Sequence, residues 1–367
     1  MSSVPTPTTS PETPPVPAAA AGHDGSWLTR WLMGGRLRWV VVFFSLLALV
    51  VAWGAVLLEL DSKRQDAIKA EVRQNANLAL ALQEQTVRVL AAVDQATLRL
   101  RDTVREGRFH LEDYARFANE TGLAPDILTQ LSYVGADGRF IGSNIDPGGD
   151  KTGHVDLSGR EHIRAHLQPE LVQAAAGQMS TNGLFIGKPV LGKVSGKWTI
   201  QLTRKISAAD GKVLGVVVAS LNPRYFEEVY SRVHLGVQGV VTLIGDDRSV
   251  RARVIGGESK GLGVVLAPNS YIGTSTVPDE GFNIRASAVD GVERIVAHHR
   301  VGSYPLLVLV ATTTEAALDE WRSTRMVALV LTTLFSIAVV GAAVLFLADV
   351  RQLEAKNRAL QLSEAQA

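Results

Sequence analysis

The chain has 367 residues, no cysteine, and 37 lysines and arginines against 36 aspartates and glutamates, for a formal net charge of +1. A nucleic-acid-binding protein would carry a basic stripe, so this balance argues against that class. The absence of cysteine excludes disulfides, thiolate chemistry and cysteine-based zinc sites.

Two long apolar runs, residues 39–58 and 326–348, are each long enough at about 20 residues to cross a bilayer as a helix. They predict membrane helices over residues 37–60 and 326–348. The first run exceeds the apolar core of a signal peptide, and no small-residue cleavage site follows it, so we interpret it as an uncleaved anchor. Residues 1–36, rich at the start in Pro, Thr, Ser and Ala, are predicted to be a disordered cytoplasmic tail.

Basic residues flank the outer ends of both runs. They are Arg30, Arg36 and Arg38 before the first run, and Arg351, Lys356 and Arg358 after the second. By the positive-inside tendency, both termini are predicted to be cytoplasmic, with the large domain between the runs on the other side. Lys63, Arg64, Arg322 and Arg325 reduce the contrast, but a long loop crosses a membrane largely regardless of its charge.

A long helix is predicted directly after the first run. Apolar residues recur there at three- and four-residue steps, at Ile68, Val72, Ala79, Leu82, Leu90, Val93, Leu100 and Val104. No proline interrupts residues 61–108, which as one helix would extend roughly 70 Å at 1.5 Å per residue. We interpret this segment as a periplasmic stalk that continues the membrane helix.

Short strands and turns follow the stalk. Asp-Gly turns predict two hairpins, residues 131–134 with 139–143 and residues 197–206 with 213–221. A helix is predicted at residues 160–175, which Pro169 must break or restart.

The second half of the domain repeats this texture. Five strands are predicted, at residues 239–244, 250–254, 282–288, 292–300 and 306–312. The repetition indicates two related α/β modules in tandem, residues 109–235 and 236–325. Thr313 or Thr314 is the expected N-cap of a helix that leads into the second apolar run.

Five short motifs in a fixed order carry a resemblance to a known family. They are Tyr133-Val134-Gly135-Ala136-Asp137-Gly138, Asp156-Leu157-Ser158-Gly159-Arg160, Phe185-Ile186-Gly187-Lys188-Pro189-Val190, Asp210-Gly211-Lys212-Val213-Leu214-Gly215-Val216-Val217 and Tyr225-Phe226. Over about residues 56–348 the chain resembles the double Cache (PDC, PAS-like) extracellular sensor domains of bacterial transmembrane receptors.

The resemblance implies an α+β fold. A long N-terminal stalk helix would precede a membrane-distal and a membrane-proximal PAS-like module, each an antiparallel sheet flanked by helices, and two transmembrane helices would bracket them. It also implies a two-pass protein of the bacterial inner membrane, with a periplasmic domain and a small-molecule ligand in the membrane-distal module.

Candidate ligand-binding residues follow from the same resemblance. In many relatives an Arg-x-aromatic-aromatic stretch lines the distal pocket, and Arg160-Glu161-His162-Ile163 keeps only the arginine. The aspartate that grips an amino-acid ammonium group in one subgroup corresponds to Ser220. This departure argues against amino acids as ligands and leaves open an anionic ligand held by Arg160, such as a carboxylate. The full set of ligand-binding candidates is Arg160, His162, His166, Trp198 and Ser220.

Other interpretations of these residues stay open. Arg160, near a helix start, could be a surface or ion-pairing residue, and Trp198, at the head of a strand, could belong to the core. His162 and His166 have workable metal spacing but also suit a polar pocket or a solvated helix face. His298 and His299 are adjacent in a strand, so they point to opposite faces and cannot chelate one ion.

No catalytic constellation is evident in the sequence. Residues 187–193 have the glycine and lysine spacing of a phosphate loop, but Val194 replaces the required Ser or Thr and a strand, not a helix, is expected there. We interpret this stretch as a glycine-bounded strand. No nucleophile motif is present, no metal or cofactor is expected, and the chain is not predicted to be an enzyme.

The C-terminal segment favours a dimer. Val350, Leu353, Asn357 and Leu360 occupy heptad a and d positions, and Asn at an a position favours a parallel pair in fixed register. Residues 349–367 are predicted to begin a cytoplasmic signalling coiled coil that leads to a histidine kinase core rather than to a GGDEF-type diguanylate cyclase. The predicted function is the sensory and transmembrane part of a receptor, a parallel homodimer in the lipid bilayer. The alternative is a membrane-anchored extracytoplasmic binding or scaffold protein without an output of its own.

Overall fold

A computed structural model of the chain describes residues 36–172, 178–268, 270, 277–287 and 290–364. The predicted N-terminal tail lies outside the described residues, apart from Arg36. The described chain divides into two compact units. One unit is Leu60–Thr324, and the other consists of the residues before Leu60 and after Thr324.

The helices of the described chain are α1 (Arg36–Arg105), α2 (Glu112–Glu120), α3 (Glu161–Leu167), α4 (Pro223–Ser231), α5 (Thr314–Ala317) and α6 (Asp319–Glu364). Helix α1 confirms the predicted proline-free helix, and it ends before Gly107, whose φ of 67° suits a glycine C-cap. Helix α3 stops before Pro169, and a 3-10 turn follows at Pro169–Leu171, as the missing N–H of proline requires. Thr313 is the N-cap of α5, because its Oγ1 accepts a hydrogen bond from the Ala316 amide at 3.1 Å.

The first sheet is antiparallel, with the strand order β2-β1-β5-β4-β3. Its strands are β1 (Leu128–Gly135), β2 (Phe140–Ser143), β3 (Phe185–Leu191), β4 (Trp198–Ser207) and β5 (Val213–Leu221). Both predicted hairpins are confirmed, since β1 pairs with β2 and β4 pairs with β5. Most of the glycine-lysine stretch 187–193 lies in β3, as expected of a strand and not of a phosphate loop.

The second sheet is also antiparallel, with the order β8-β7-β6-β11-β10-β9. Its strands are β6 (Val240–Gly245), β7 (Val250–Ile255), β8 (Glu258–Ser259), β9 (Glu280–Ala286), β10 (Glu293–Arg300) and β11 (Leu306–Thr313). The five predicted strands are present, and the two-residue edge strand β8 is an addition that the sequence did not predict. The fold is thus α+β, with a long N-terminal helix and two antiparallel sheets.

Helix α1 packs on one face of both sheets and joins their cores. Its residues Leu90 and Leu100 belong to one hydrophobic cluster with Leu202 of the first sheet and Val308 of the second. Buried Asn75 adds a polar tie, because its Nδ2 donates to the Ile295 carbonyl at 3.1 Å and to Thr312 Oγ1 at 2.9 Å. The other face of each sheet points away from α1.

The smaller unit consists of the apolar parts of α1 and α6. Both helices are long and apolar enough to cross a membrane by length and composition, and almost none of the residues in those stretches is buried. Trp53 Nε1 donates to Ser336 Oγ at 3.1 Å, and Arg38 pairs with Glu354. These contacts place the beginning of α1 beside the end of α6.

Candidate ligand-binding cleft on the first sheet

Polar side chains occupy the face of the first sheet that points away from α1. Gln130 on β1, Ser220 on β5 and Gln201 on β4 stand directly opposite one another in register, and each is only 4% exposed. Ser220 Oγ donates to Gln201 Oε1 at 2.9 Å, and Gln130 Nε2 donates to Ser132 Oγ at 2.9 Å. Buried polar groups are costly unless they are hydrogen-bonded, and these hydrogen bonds stabilise the row as the polar floor of a site.

Helix α3 covers the same face, and one threonine holds it there. Thr203 Oγ1 donates to the His162 carbonyl at 3.1 Å and lies 2.9 Å from His166 Nε2. A hydroxyl has one proton to give, so His166 Nε2 must carry the proton of the second bond. Both histidines are thereby fixed against β4.

The space between the polar row and α3 is a cleft of about 390 Å³, including its open mouth. The space that the centre of a water-sized molecule can occupy inside it is about 40 Å³, so the cleft has room for a small ligand only. Apolar side chains form its walls, among them Val134, Phe140, Leu157 and Val218. Its described lining contains no carboxylate, so the cleft suits a neutral polar or anionic ligand better than a cation.

Two cations stand at the mouth of the cleft. Arg160 Nη2 donates to the Leu191 carbonyl at 3.1 Å, and Lys193 Nζ donates to the Asp156 carbonyl at 2.9 Å. Among the described residues, neither side chain forms an ion pair with a carboxylate. Their charge is available to a ligand anion, and the Arg160 guanidinium can bind a carboxylate through two parallel hydrogen bonds.

Three of the five predicted ligand residues line this cleft, namely Arg160, His162 and Ser220. His166 lies beneath α3, bonded to Thr203 and edge-on to the ring of Phe185 at 6.1 Å between centroids. Trp198 does not line the cleft either. Its interpretation as a core residue is wrong, because it is 53% exposed and pairs with Leu191 at the tip of the β3–β4 hairpin.

Sequence reasoning missed four polar or charged side chains of the cleft, namely Gln130, Ser132, Gln201 and Lys193. The three floor residues did leave a signal, because polar residues alternate with leucines in Gln130-Leu131-Ser132 and in Gln201-Leu202-Thr203. Alternate strand residues share one face, so each pattern predicts a polar face. The metal interpretation of His162 and His166 gains no third ligand, since no group of three or more such side chains occurs in the described ranges.

Burial keeps both histidines neutral in the folded chain. Desolvation, helped by nearby Arg160, lowers the pKa of His162 to about 3. Desolvation also lowers the pKa of His166 to about 4, against the opposing effect of its bond to Thr203. Both values lie well below the ordinary histidine pKa of about 6.5.

We therefore expect acid to destabilise the domain. Above about pH 6.5 neither state is protonated and stability is complete; as the pH falls towards about 4, the unfolded chain binds protons that the folded chain excludes. Each histidine contributes a loss of up to about 1.4 kcal/mol per pH unit. Thermal unfolding of the detergent-solubilised chain between about pH 7.5 and 5 should show a shallower dependence in His162→Gln and His166→Gln. Slopes equal to that of the unchanged chain would assign the effect to other groups, among them His298, whose pKa burial also lowers.

No protein-family model matches the chain, and no curated protein matches it. Solved structures do. The extracellular domain of rpHK1S-Z16, assigned as a histidine kinase, is 24% identical with a TM-score of 0.55, covering 69% of this chain and 98% of that one.

Two chemoreceptor ligand-binding domains are also similar. That of Pseudomonas fluorescens CtaA, solved with L-isoleucine, is 16% identical with a TM-score of 0.47, covering 71% of this chain and 98% of that one. That of the Pseudomonas aeruginosa PAO1 amino-acid chemoreceptor PctC, solved with GABA, is 14% identical with a TM-score of 0.45, covering 66% and 99%. The rpHK1S-Z16 match shows the fold, and the resemblance to double Cache extracellular sensor domains is confirmed at that level.

Proposed function

We propose that this chain, which has the fold of double Cache extracellular sensor domains, is the ligand-sensing and transmembrane part of a bacterial signal-transduction receptor. The observation that carries the proposal is the cleft of the first sheet, a buried polar floor with two cations at its mouth that form no ion pair with a described carboxylate. A preformed binding cleft in a chain with two apolar helices favours the role of a receptor over that of an enzyme.

The proposed arrangement in the membrane follows from the apolar helices. Residues 37–60 and 326–348 would be the transmembrane segments, residues 61–108 the periplasmic stalk, and residues 109–235 and 236–325 the distal and proximal PAS-like modules. The contact between Arg38 and Glu354 supports placing both termini on one side, which the flanking basic residues favour as the cytoplasm. The bacterial inner membrane is the location that this arrangement fits.

The route from ligand to membrane would use the two ends of the domain. Trp321 Nε1 donates to the Leu60 carbonyl at 2.8 Å, so the beginning and the end of the larger unit are in contact. If the sheets have two arrangements, a ligand that binds one of them more tightly shifts the equilibrium towards it. The size of this shift is set by the difference in the ligand's affinity for the two arrangements. A small piston or rotation of α6 would then carry the signal.

A parallel homodimer is the proposed assembly. Leu353 and Leu360, at heptad positions of α6, are exposed in the single chain. A second copy would cover them, with Asn357 fixing the register. We propose a histidine kinase core as the output that this coiled coil would drive, and the chain itself would have no enzymatic activity.

A small carboxylate is the proposed ligand of the first cleft. Its anionic group would pair with Arg160 and Lys193, and its polar body would face Gln130, Gln201 and Ser220. An ammonium group would meet cations and no carboxylate in the described lining, which supports acids over amines.

Replacing Arg160 tests the proposal. Thermal-shift screening of the detergent-solubilised full chain with acids of up to about four carbons should find stabilising acids, whereas matched amines should have no effect. In Arg160→Gln we expect about 10- to 100-fold weaker binding of such an acid, because a charge-assisted hydrogen bond is lost. Arg164→Gln is the matched control, since Arg164 is exposed on the same helix and does not line the cleft. Stabilisation by amines alone, or equal binding by Arg160→Gln, would contradict the assignment.

A further inference from the structure

The second sheet carries a larger cleft, also on the face that points away from α1. Its volume is about 720 Å³ including its open mouth. The floor is apolar, formed by Val240, Val296, Leu309 and Ala311, with Leu266 at one side. Such a floor differs from the polar row of the first sheet and would bind a hydrocarbon group.

Arg253 is buried and faces this cleft. It lies on β7 opposite Thr242 and is 6% exposed. Its side chain makes no hydrogen bond or ion pair with any residue that the structure describes, and its Nε is buried without an acceptor. Buried arginines are normally paired, so this guanidinium requires an explanation.

Arg294 lines the same cleft, and its guanidinium is paired. It donates to both carboxylate oxygens of Asp290, at 2.7 and 2.9 Å, and its Nε donates to the Gln238 carbonyl at 3.0 Å. Asp290 is thus engaged by Arg294, and it forms no ion pair with Arg253. Among the described residues that line the cleft, one buried arginine has an ion pair, Arg294, and one has none, Arg253; a third arginine, Arg285, is exposed.

Asp290 balances the charge of Arg253 only in part, so the burial of Arg253 is costly. Desolvation lowers the pKa of Arg253, and Arg294 lowers it further, while Asp290 opposes both. A cation removed from water without a counter-ion is among the most unfavourable groups in a protein interior. An anion in the cleft would remove this cost without any change in the fold.

We propose that this cleft is a second ligand site, for an amphipathic monocarboxylate. The carboxylate would accept hydrogen bonds from the Arg253 guanidinium, and the aliphatic chain would pack on Val296, Leu309 and Ala311. A buried arginine with no ion pair among the described residues, beside an apolar floor, favours an anionic group with a hydrocarbon tail. The site is separate from the first cleft and does not depend on the signalling role of the chain.

Hexanoate is the probe for this site. Isothermal titration calorimetry of the detergent-solubilised full chain should show binding of hexanoate and far weaker binding of 1-hexanol. In Arg253→Met, which keeps an unbranched side chain without the charge, we expect about 10- to 100-fold weaker binding. Lys260→Met removes an exposed cation that does not line the cleft; it is the matched control and should bind hexanoate as the unchanged chain does.

Two further measurements separate a ligand role from a structural one. Without hexanoate, the melting temperature of Arg253→Met should be unchanged or higher, since a buried unpaired charge is removed. Ala311→Leu keeps the arginine but fills the cleft floor, and it should also weaken hexanoate binding. Equal hexanoate affinity in Arg253→Met and the unchanged chain would overturn the proposal. So would binding that Arg160→Gln abolishes, which would place hexanoate in the first cleft.

Discussion

Asp94→Ala is expected to destabilise the domain by about 3–5 kcal/mol, because it leaves a buried arginine without its counter-ion. The Asp94 carboxylate on α1 accepts hydrogen bonds from Arg204 Nε at 2.6 Å and from Arg204 Nη2 at 2.7 Å. Both side chains are buried, at 7% and 5% exposure. Loss of the carboxylate removes both hydrogen bonds, and the alanine side chain offers Arg204 neither an acceptor nor a negative charge. Chemical unfolding of the detergent-solubilised chain gives the free-energy difference directly.

Two variants show whether the missing counter-ion causes the loss. The double variant Asp94→Leu with Arg204→Met removes both charges, and it should recover much of the stability. Glu84→Ala is the matched surface control, because Glu84 pairs with Arg88 on the same helix at 3.9 Å with both side chains exposed. Exposed pairs contribute little, so that change should be small. A double variant no more stable than Asp94→Ala would show that shape, not charge, sets the cost.

This ion pair also connects the first cleft with α1. On β4, Gln201 lines the cleft and Thr203 contacts α3 on the same face, while Leu202 and Arg204 face α1, as alternation along a strand requires. A ligand that shifts β4 would therefore act on α1 through Arg204. The proposed signal path needs such a mechanical link, and the buried bidentate pair supplies it.

The local elements of the fold could be predicted from the sequence. Asp-Gly turns between β-rich runs fixed the hairpins, and the uninterrupted apolar spacing predicted α1. Both patterns depend only on residues that are close together in the sequence. The edge strand β8, only two residues long, has no such signal, because its pairing with β7 is set by the surrounding turn.

The site was less predictable, because it depends on register between distant strands. Gln130 and Gln201 are brought to one row only through Ser220 on the strand between them. Arg160 and Ser220 were found through a resemblance and not through any local pattern.

Arg251 and Arg253 illustrate the limit of alternation. Two residues apart on β7, they should share a face. Val250 opposes Ile244 and Ala252 opposes Leu243, so Arg251 is the extra residue of a β-bulge. The bulge separates the two side chains, and only Arg253 lines the cleft.

Asp247→Ala is also expected to lower the free energy of unfolding by about 3–5 kcal/mol, because it would leave the wholly buried Arg251 without its counter-ion. Asp247 Oδ2 accepts from Arg251 Nη2 at 2.9 Å, and Oδ1 contacts Nη1. The same Nη1 donates to the Ser249 carbonyl at 2.7 Å. Urea unfolding followed by circular dichroism measures the loss. Glu258→Ala is the control, because the Glu258–Lys260 pair near β7 is exposed and its removal should change nothing measurable.

The position of Arg251 gives this prediction a second consequence. The bulge directs its Nη2 to the Ile186 carbonyl of the first sheet, at 3.2 Å, so one guanidinium holds Asp247 and a strand of the other sheet. Removal of Asp247 should therefore loosen the contact between the sheets as well as lower stability. Amide hydrogen exchange should increase around Ile186 in Asp247→Ala, while the distant β9–β10 pair stays protected. A stability loss without that change in exchange would show that the contact between Arg251 and Ile186 does not depend on Asp247.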